Sequence, residues 1–187
     1  EVCYQDATTP WDRGQHPPGL EEWMAHHPPG TILVPGCGRG HDARQLARYG
    51  FGVTAIDLSS RAVDEAQKAS GDLGIEFVAA DLFALPEDWA GRFDYVWEHT
   101  CFCAIHPSHR PDYVRSMHRV LQSQGQLGGL FFIHEPEEVG GPPYKMPRQQ
   151  LLGYFHPHFA IVREKQPQHH LEGRENQEVL ITFSKNG

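Results

Sequence analysis

The chain has 187 residues, 39% of them hydrophobic and 21% charged, and is long enough to bury one apolar core without disulfide or metal support. Its formal charge of −8 argues against duplex nucleic acid as the main partner, because phosphate binding draws on clustered lysine and arginine. No apolar run approaches the roughly 18 residues that cross a bilayer, which argues against a membrane-spanning segment.

The N-terminal residues and the cysteines indicate the cellular compartment. The first residues show neither the basic start nor the apolar stretch of a secretory signal. The four cysteines lack the spacing of a disulfide framework. We therefore expect a cytoplasmic protein with reduced thiols. Because the sequence does not begin with Met, we also expect that a natural N-terminal segment is missing.

Strand-like and helix-like segments alternate along the first two thirds of the chain. The predicted strands are 31–34, 52–56, 75–79, 93–97 and 126–133. The predicted helices are 41–49 with Gly50 after it, one capped by Ser59 or Ser60, and one with Pro111 in its first turn. This alternation predicts a parallel sheet with helices on both faces.

The C-terminal part breaks the alternation. Two strand-like runs, 158–164 and 178–183, are joined by a polar stretch without a helical pattern, so they should pair antiparallel. Pro and Gly cluster at 16–30 and 140–147, which we interpret as loops within one domain. The sequence thus predicts an α/β fold with a seven-stranded, mostly parallel sheet and an antiparallel last strand.

A glycine-rich loop lies between the first predicted strand and the first predicted helix. Gly36, Gly38 and Gly40 follow a G-x-G-x-G spacing, and glycine permits positive φ and close approach of a ligand to the backbone. Asp57 ends the next strand, where a carboxylate can accept hydrogen bonds from both hydroxyls of a ribose. These features predict a nucleoside ligand.

A candidate adenine contact and the glycine spacing indicate which nucleoside compound would bind. Asp81 and Leu82 follow the third strand, where the acid could accept from the amino group of an adenine. The third glycine of the dinucleotide pattern G-x-G-x-x-G is missing, which favours S-adenosylmethionine over NAD. A plain tight turn, with Asp57 capping a helix, is the alternative. It is disfavoured because all these residues lie at the carboxyl ends of strands, where such sheets bind ligands.

Five segments carry a more specific pattern, in the same order along nearly the whole chain. They read TPWDRG at 9–14, VPGCGRGHD at 34–42, VTAIDLS at 53–59, FDYVWEHTCFCAI at 93–105 and GGPPY at 140–144. They resemble the thiopurine S-methyltransferases together with the thiol and halide methyltransferases of plants and bacteria. The resemblance implies a single class I methyltransferase domain over 1–187, of Rossmann-like fold. It also implies S-adenosylmethionine as methyl donor and S-adenosylhomocysteine as product.

The same resemblance implies a set of cofactor contacts. The matching residues are Tyr4, Trp11, Gly36, Gly38, Asp57, Asp81, Leu82 and His99. Residues 1–30 would form an N-terminal lid segment over the cofactor site. His99 stands where some relatives have Arg or Tyr, and it would reach both the cofactor and the acceptor. Since it is not the Arg of the animal enzymes, the acceptor stays open.

A thiol acceptor needs help to ionise, because at a pKa of about 8.5 only a few per cent is thiolate at pH 7. Arg110 is the first candidate for a cation beside it and His99 the second, while Tyr144 could cover the acceptor from a Pro/Gly loop. The structural alternatives are an ion pair of Arg110 with Asp112 or Glu98, a satisfied strand-end histidine, and a packed loop aromatic. Glu98 could orient His99 or act as a base, with a structural acid preferred.

The alternatives to a thiol methyltransferase differ in substrate class. A halide or a selenium or tellurium species could use the same site. A nucleic-acid or protein N-methyltransferase is less favoured, because its Asn/Asp-Pro-Pro-Tyr/Phe signature would follow the fourth strand, where the chain reads EHTC at 98–101. A non-catalytic S-adenosylmethionine-binding module also stays open, and a nicotinamide-dependent reductase is weaker.

Further partners follow from the same evidence. Cys101 and Cys103, near His99 and His106, suggest a metal, but structural zinc sites need paired ligands such as C-x-x-C, so we expect none. We expect a small-molecule acceptor, with no nucleic-acid or membrane partner. The resemblance suggests a monomer.

Overall fold

The structure, a computed structural model, describes residues 12–133 and 140–187. The helices are α1 (Pro18–Met24), α2 (His41–Arg48), α3 (Ser60–Ser70), α4 (Arg110–Val120) and α5 (Arg148–Phe155). The strands are β1 (Thr31–Pro35), β2 (Gly52–Asp57), β3 (Glu76–Ala79), β4 (Phe93–His99), β5 (Leu121–Phe132), β6 (Phe159–Lys165) and β7 (Glu178–Lys185). Short 3₁₀ turns lie at Glu87–Trp89, Phe102–Ala104 and Pro107–His109. Among the described helices none is long and apolar enough to cross a membrane.

The seven strands form one sheet in the order β3-β2-β1-β4-β5-β7-β6. The first five run parallel, and β7 pairs antiparallel with both β5 and β6. This arrangement confirms the predicted mostly parallel sheet with an antiparallel last strand. Strand order reverses between β1 and β4, because β2 and β3 lie on one side and β5 on the other. At such a reversal the loops after the two strands part and leave a crevice.

The core lies on both faces of the central strands. Leu33 of β1 and Val96 of β4 are fully buried against α4 and α5 on one face, in a cluster rich in phenylalanine. On the other face, Trp23 of α1 packs beside Trp97 of β4, with 5.4 Å between ring centroids. A Cβ atom at Gly128 of β5 would lie 2.5 Å from Cε2 of Trp23, so only glycine lets this indole reach the sheet.

Two helices lie where the sequence did not predict them. The interpretation of 16–30 as a loop is wrong, because α1 occupies its middle, with Pro18 in the first turn and Leu20, Trp23 and Met24 buried. Its Pro-rich flanks masked a short amphipathic helix. Similarly, α5 follows Pro147 and buries Leu151, Leu152 and Phe155. The predicted loop at 140–147 itself contains no helix or strand.

Candidate active site

A cavity of about 440 Å³ opens at the carboxyl edge of the sheet. It lies where β1 and β4 are neighbours, at the point of strand reversal. Its walls come from the glycine loop, the ends of β2 and β4, the turn after β4, and parts of the segments 12–15, 142–143 and 171–174. Elements far apart in the chain therefore meet in one ligand-sized space.

The glycine loop follows β1 directly and forms one wall. Gly36 and Gly38 both line the cavity and have φ values of +60° and +52°. A Cβ atom at Gly36 would also lie 2.7 Å from Sγ of Cys101, so glycine is required by space as well as by conformation. The loop then passes into α2, whose first N–H groups have no partners within the helix.

Asp57 stands opposite the glycine loop at the end of β2. Its Oδ2 atom accepts from the backbone N–H of Gly38 at 2.9 Å, and Oδ1 accepts from that of Ser59 at 2.9 Å. The helix cap is not Asp57 but Ser59, whose side chain accepts from the N–H of Ala62. Each carboxylate oxygen can accept a second hydrogen bond, so Asp57 can fix the loop and still bind a ligand in the cavity.

Asp81 and Leu82 lie beside this wall but not in the cavity lining. The segment runs next to Asp57, since the N–H of Ala80 donates to the carbonyl of Asp57 at 3.0 Å. Asp81 is exposed and its Oδ1 atom accepts from the N–H of Phe83 at 2.9 Å. Leu82 packs partly against the core.

His99 ends β4 and lines the cavity, paired with a carboxylate from α2. Its Nδ1 atom lies 3.0 Å from Oδ2 of Asp42, which also accepts from the indole N–H of Trp97 at 2.7 Å. Burial alone would raise the pKa of Asp42, but His99 and Trp97 lower it below its ordinary value of 3.8. Burial alone would lower the pKa of His99, but Asp42 raises it above 6.5. The two side chains thus form a buried hydrogen-bonded pair, which becomes an ion pair when His99 is protonated.

The turn after β4 is fixed by Glu98, which is 1% exposed. Its Oε1 atom accepts from the N–H groups of Cys101 (3.0 Å) and Phe102 (2.7 Å), and Oε2 accepts from the hydroxyl of Tyr113. These bonds hold Thr100 at φ +61°, a strained conformation that costs about 1–3 kcal/mol. The contacts favour the structural interpretation of Glu98 over that of a base.

Arg110 and Tyr144 do not line the cavity. The Arg110 side chain is 1% exposed, donates to the backbone carbonyl of Tyr144 at 2.7 Å and lies over the ring of Phe102. Because Arg110 is buried, the alternative of a surface ion pair with Asp112 or Glu98 is wrong. The N–H of Tyr144 donates to the carbonyl of Cys103 at 2.7 Å. Arg110 therefore holds the 140–147 loop, which reaches the cavity through Pro142 and Pro143.

Asp12 is a cavity residue that the sequence analysis did not single out. Its Oδ2 atom accepts from Arg39 at 2.7 Å, Oδ1 accepts from the N–H of Gly14 at 2.8 Å, and Nε2 of His41 lies 3.1 Å from Oδ1. Burial raises the pKa of Asp12, but these donors lower it below 3.8 overall. The segment after residue 11 is thus fastened to the glycine loop. Its place in the TPWDRG segment was the available signal.

Like Asp42, Arg174 is another cavity residue that the sequence did not single out. It comes from the polar stretch between β6 and β7, lines the cavity and stacks over the ring of Phe132 at 4.6 Å. No local pattern marked it, because a lone arginine in a polar loop is common. The predicted contacts Tyr4 and Trp11 lie outside the described residues.

Three cysteines also line the cavity. Cys37, Cys101 and Cys103 are free thiols, and burial raises the pKa of each, that of Cys103 to about 12. They are therefore neutral and form a polarizable wall with little affinity for water. In the described parts of the chain, no three His, Cys, Asp or Glu side chains are grouped to hold a metal ion.

Comparison with known proteins yields one family and related enzymes. The family described as thiopurine S-methyltransferase matches residues 1–186. Thiocyanate methyltransferase 1 of Arabidopsis thaliana is 31% identical over 99% of this chain and 83% of its own. Probable thiol methyltransferase 2 of the same plant is 33% identical over 78% of this chain and 66% of its own.

The fold is also that of solved methyltransferases. The Burkholderia thailandensis 1,6-didemethyltoxoflavin-N1-methyltransferase, crystallised with that substrate and S-adenosylhomocysteine, has a TM-score of 0.79 and 22% identity. The match covers all of this chain and 85% of that one. At this identity the likeness establishes the class I methyltransferase fold.

Proposed function

We infer that this chain, which belongs to the thiopurine S-methyltransferase family, transfers the methyl group of S-adenosylmethionine to the sulfur atom of a small thiol. The observation that carries the proposal is the single cavity at the strand reversal. Its lining includes Gly36, Gly38 and Asp57 together with His99 and Arg174. Two relatives named for thiocyanate and thiol methylation support sulfur as the acceptor atom.

Gly36, Gly38 and Asp57 fit the cofactor. Asp57 has spare acceptor capacity for the two ribose hydroxyls, and the positive φ values of Gly36 and Gly38 keep side chains away from a bound methionine part. Asp81 and Leu82, next to Asp57, would hold the adenine, and Tyr4 and Trp11 would cover it as part of the lid over 1–30. The bound sulfonium supplies an activated methyl group. The chain itself supplies alignment and exclusion of water.

His99 and Arg174 fit a soft, anionic acceptor. His99 and Arg174 place two basic groups beside a wall of neutral cysteines, so a thiolate gains both charge stabilisation and polarizable contact. Arg110 contributes by holding Tyr144, and thereby the loop whose prolines line the cavity. The same charges favour thiocyanate or a halide as the second candidate acceptor.

Further proposals rest on composition and resemblance. We propose a single-domain monomer in the cytoplasm that acts on small molecules and binds neither nucleic acid nor membranes. The net charge of −8 supports the proposed absence of nucleic-acid binding. Light scattering and a gel shift with tRNA would test the monomer and the absence of nucleic-acid binding.

Titration calorimetry with S-adenosylmethionine tests the cofactor site. We expect micromolar binding, and we expect Asp57→Ala to weaken it about 100-fold, because two hydrogen bonds to a charged acceptor are lost. Asp64→Ala, at an exposed position of α3, is the matched control and should bind like the wild type. Turnover on cysteamine, iodide and a thiopurine then identifies the acceptor. Binding without turnover on any of them would contradict the proposed function.

A further inference from the structure

We propose that the buried pair at the end of β4 removes the proton from a thiol acceptor, with His99 as general base and Asp42 as its positioning residue. The inference rests on the proposed function, since it requires a thiol that is methylated in this cavity. It adds a catalytic role for His99 that differs from a cation beside an already formed thiolate.

The geometry of the pair leaves one ring nitrogen for the substrate. Nδ1 of His99 lies 3.0 Å from Oδ2 of Asp42, and because an ionised carboxylate only accepts, Nδ1 carries the hydrogen. The neutral ring then has its lone pair on Nε2. His99 lines the cavity, and Nε2 forms no hydrogen bond within residues 12–133 and 140–187. An acid on Nδ1 and an open Nε2 is the arrangement that makes histidine a base in Ser-His-Asp enzymes.

The position of Asp42 is itself fixed. The indole N–H of Trp97 donates to the same Oδ2 atom at 2.7 Å, and Trp97 is fully buried in the core. Asp42 belongs to the first turn of α2, directly after the glycine loop. The base is therefore supported by the helix that continues the glycine loop.

The surrounding charges increase the basicity of His99. Burial alone would lower its pKa, but Asp42 raises it above 6.5, with smaller contributions from Glu178 of β7 and Glu98 of β4. The basic groups around these acids are His16, His41 and Arg44 near Asp42, and Arg174 and His170 near Glu178. A base with a pKa closer to that of a thiol accepts the proton at a lower energetic cost.

Other titratable groups near His99 are poor bases. Arg174 has no lone pair to offer. The Cys101 and Cys103 thiols are neutral because burial raises the pKa of both. Glu98 already accepts from two N–H groups and a hydroxyl, and it does not line the cavity.

The S–H bond of the acceptor breaks and its proton goes to Nε2 of His99. The acceptor sulfur forms a bond to the methyl carbon, whose bond to the sulfonium sulfur breaks and leaves S-adenosylhomocysteine. The imidazolium of His99 then releases the proton to solvent. An acceptor that is already an anion, such as iodide, has no proton to lose and does not need this base.

Two acceptors and three variants test the assignment. The values of kcat/KM for cysteamine and for iodide are measured from pH 6 to 9.5 with the wild type, His99→Gln, Asp42→Asn and the control His156→Gln. His156 is exposed, follows α5 and does not line the cavity. Calorimetry with S-adenosylmethionine shows that each variant is folded.

The expected result follows from the ionisation of the thiol. About 3% of a thiol with a pKa of about 8.5 is ionised at pH 7, so His99→Gln should lower kcat/KM for cysteamine about 30-fold there. The loss should shrink to about twofold at pH 8.5, where the thiol ionises by itself. Iodide has no proton to lose, so its methylation at pH 7 should fall several-fold less than that of cysteamine. Asp42→Asn should act in the same direction, and His156→Gln should have no effect.

Three outcomes would overturn the inference while leaving the proposed function intact. They are an equal loss for both acceptors at every pH, a larger loss for iodide, or ¹⁵N NMR of the free wild-type protein showing the neutral His99 ring protonated on Nε2. The NMR measurement holds even if a variant fails to fold. A folded wild type that binds S-adenosylmethionine but methylates none of cysteamine, iodide and a thiopurine would instead contradict the proposed function.

Discussion

Replacement of Arg110 by lysine tests whether this buried cation acts on the loop or on the acceptor. Lysine keeps the positive charge but lacks the planar fork, so it cannot both bond the carbonyl of Tyr144 and stack over the rings of Phe102 and Tyr154. The hydrogen bond from a charged donor contributes about 2 kcal/mol and the two stacking contacts about 1 kcal/mol together. We expect Arg110→Lys to lower the free energy of unfolding by about 3 kcal/mol.

Urea denaturation of the variant measures this loss, and a second arginine on the same helix provides the control. Arg115 is exposed and paired with Asp112, so Arg115→Lys should change the free energy of unfolding by less than about 0.5 kcal/mol. Because Arg110 does not line the cavity, KM for the acceptor should rise only as the loop loosens, equally for cysteamine and iodide. A loss of stability below about 1 kcal/mol, with a large fall in kcat/KM at pH 7 that recovers at pH 9, would refute this reasoning. Arg110 would then act on the thiol directly.

Two further predictions concern stability. Gly128→Ala should lower the free energy of unfolding by about 3 kcal/mol, because the new methyl group collides with the indole of Trp23. Gly153→Ala adds a methyl group in open space on α5 and should raise the free energy of unfolding by about 0.5–1 kcal/mol. Thermal unfolding of the two variants measures both changes. The Asp42–His99 pair should make stability depend on pH. The contribution of His99, whose pKa is raised, is fully present below pH 6.5 and is lost as pH rises through its folded pKa. The contribution of Asp42, whose pKa is lowered, is present above 3.8 and is lost as pH falls through its folded value. The urea midpoint should therefore depend less on pH between 3 and 9 in Asp42→Asn than in the wild type. An unchanged pH dependence would contradict the proposed contribution of the Asp42–His99 pair to stability.

The parallel sheet was predictable because its strands carry their own signal. Strands buried on both faces are largely apolar runs, and the strand that ends at Asp57 needed no tertiary information. The glycine loop was predictable for the same reason, since positive φ at Gly36 and Gly38 selects glycine locally. The short helix α1 was hidden, because prolines that begin a helix give the same composition as prolines in a loop.

The sequence by itself determined which segments form the parallel strands and that the glycine loop and Asp57 lie together at their carboxyl edge, because these are local patterns set by burial and backbone conformation. Only the tertiary structure decided which side chains meet. It placed Arg110 inside the protein under the loop of Tyr144, paired His99 with Asp42 across 57 positions, and brought Arg174 to the cavity from a polar stretch. Such contacts depend on strand order and on the packing of distant elements, and no spacing along the chain reports them.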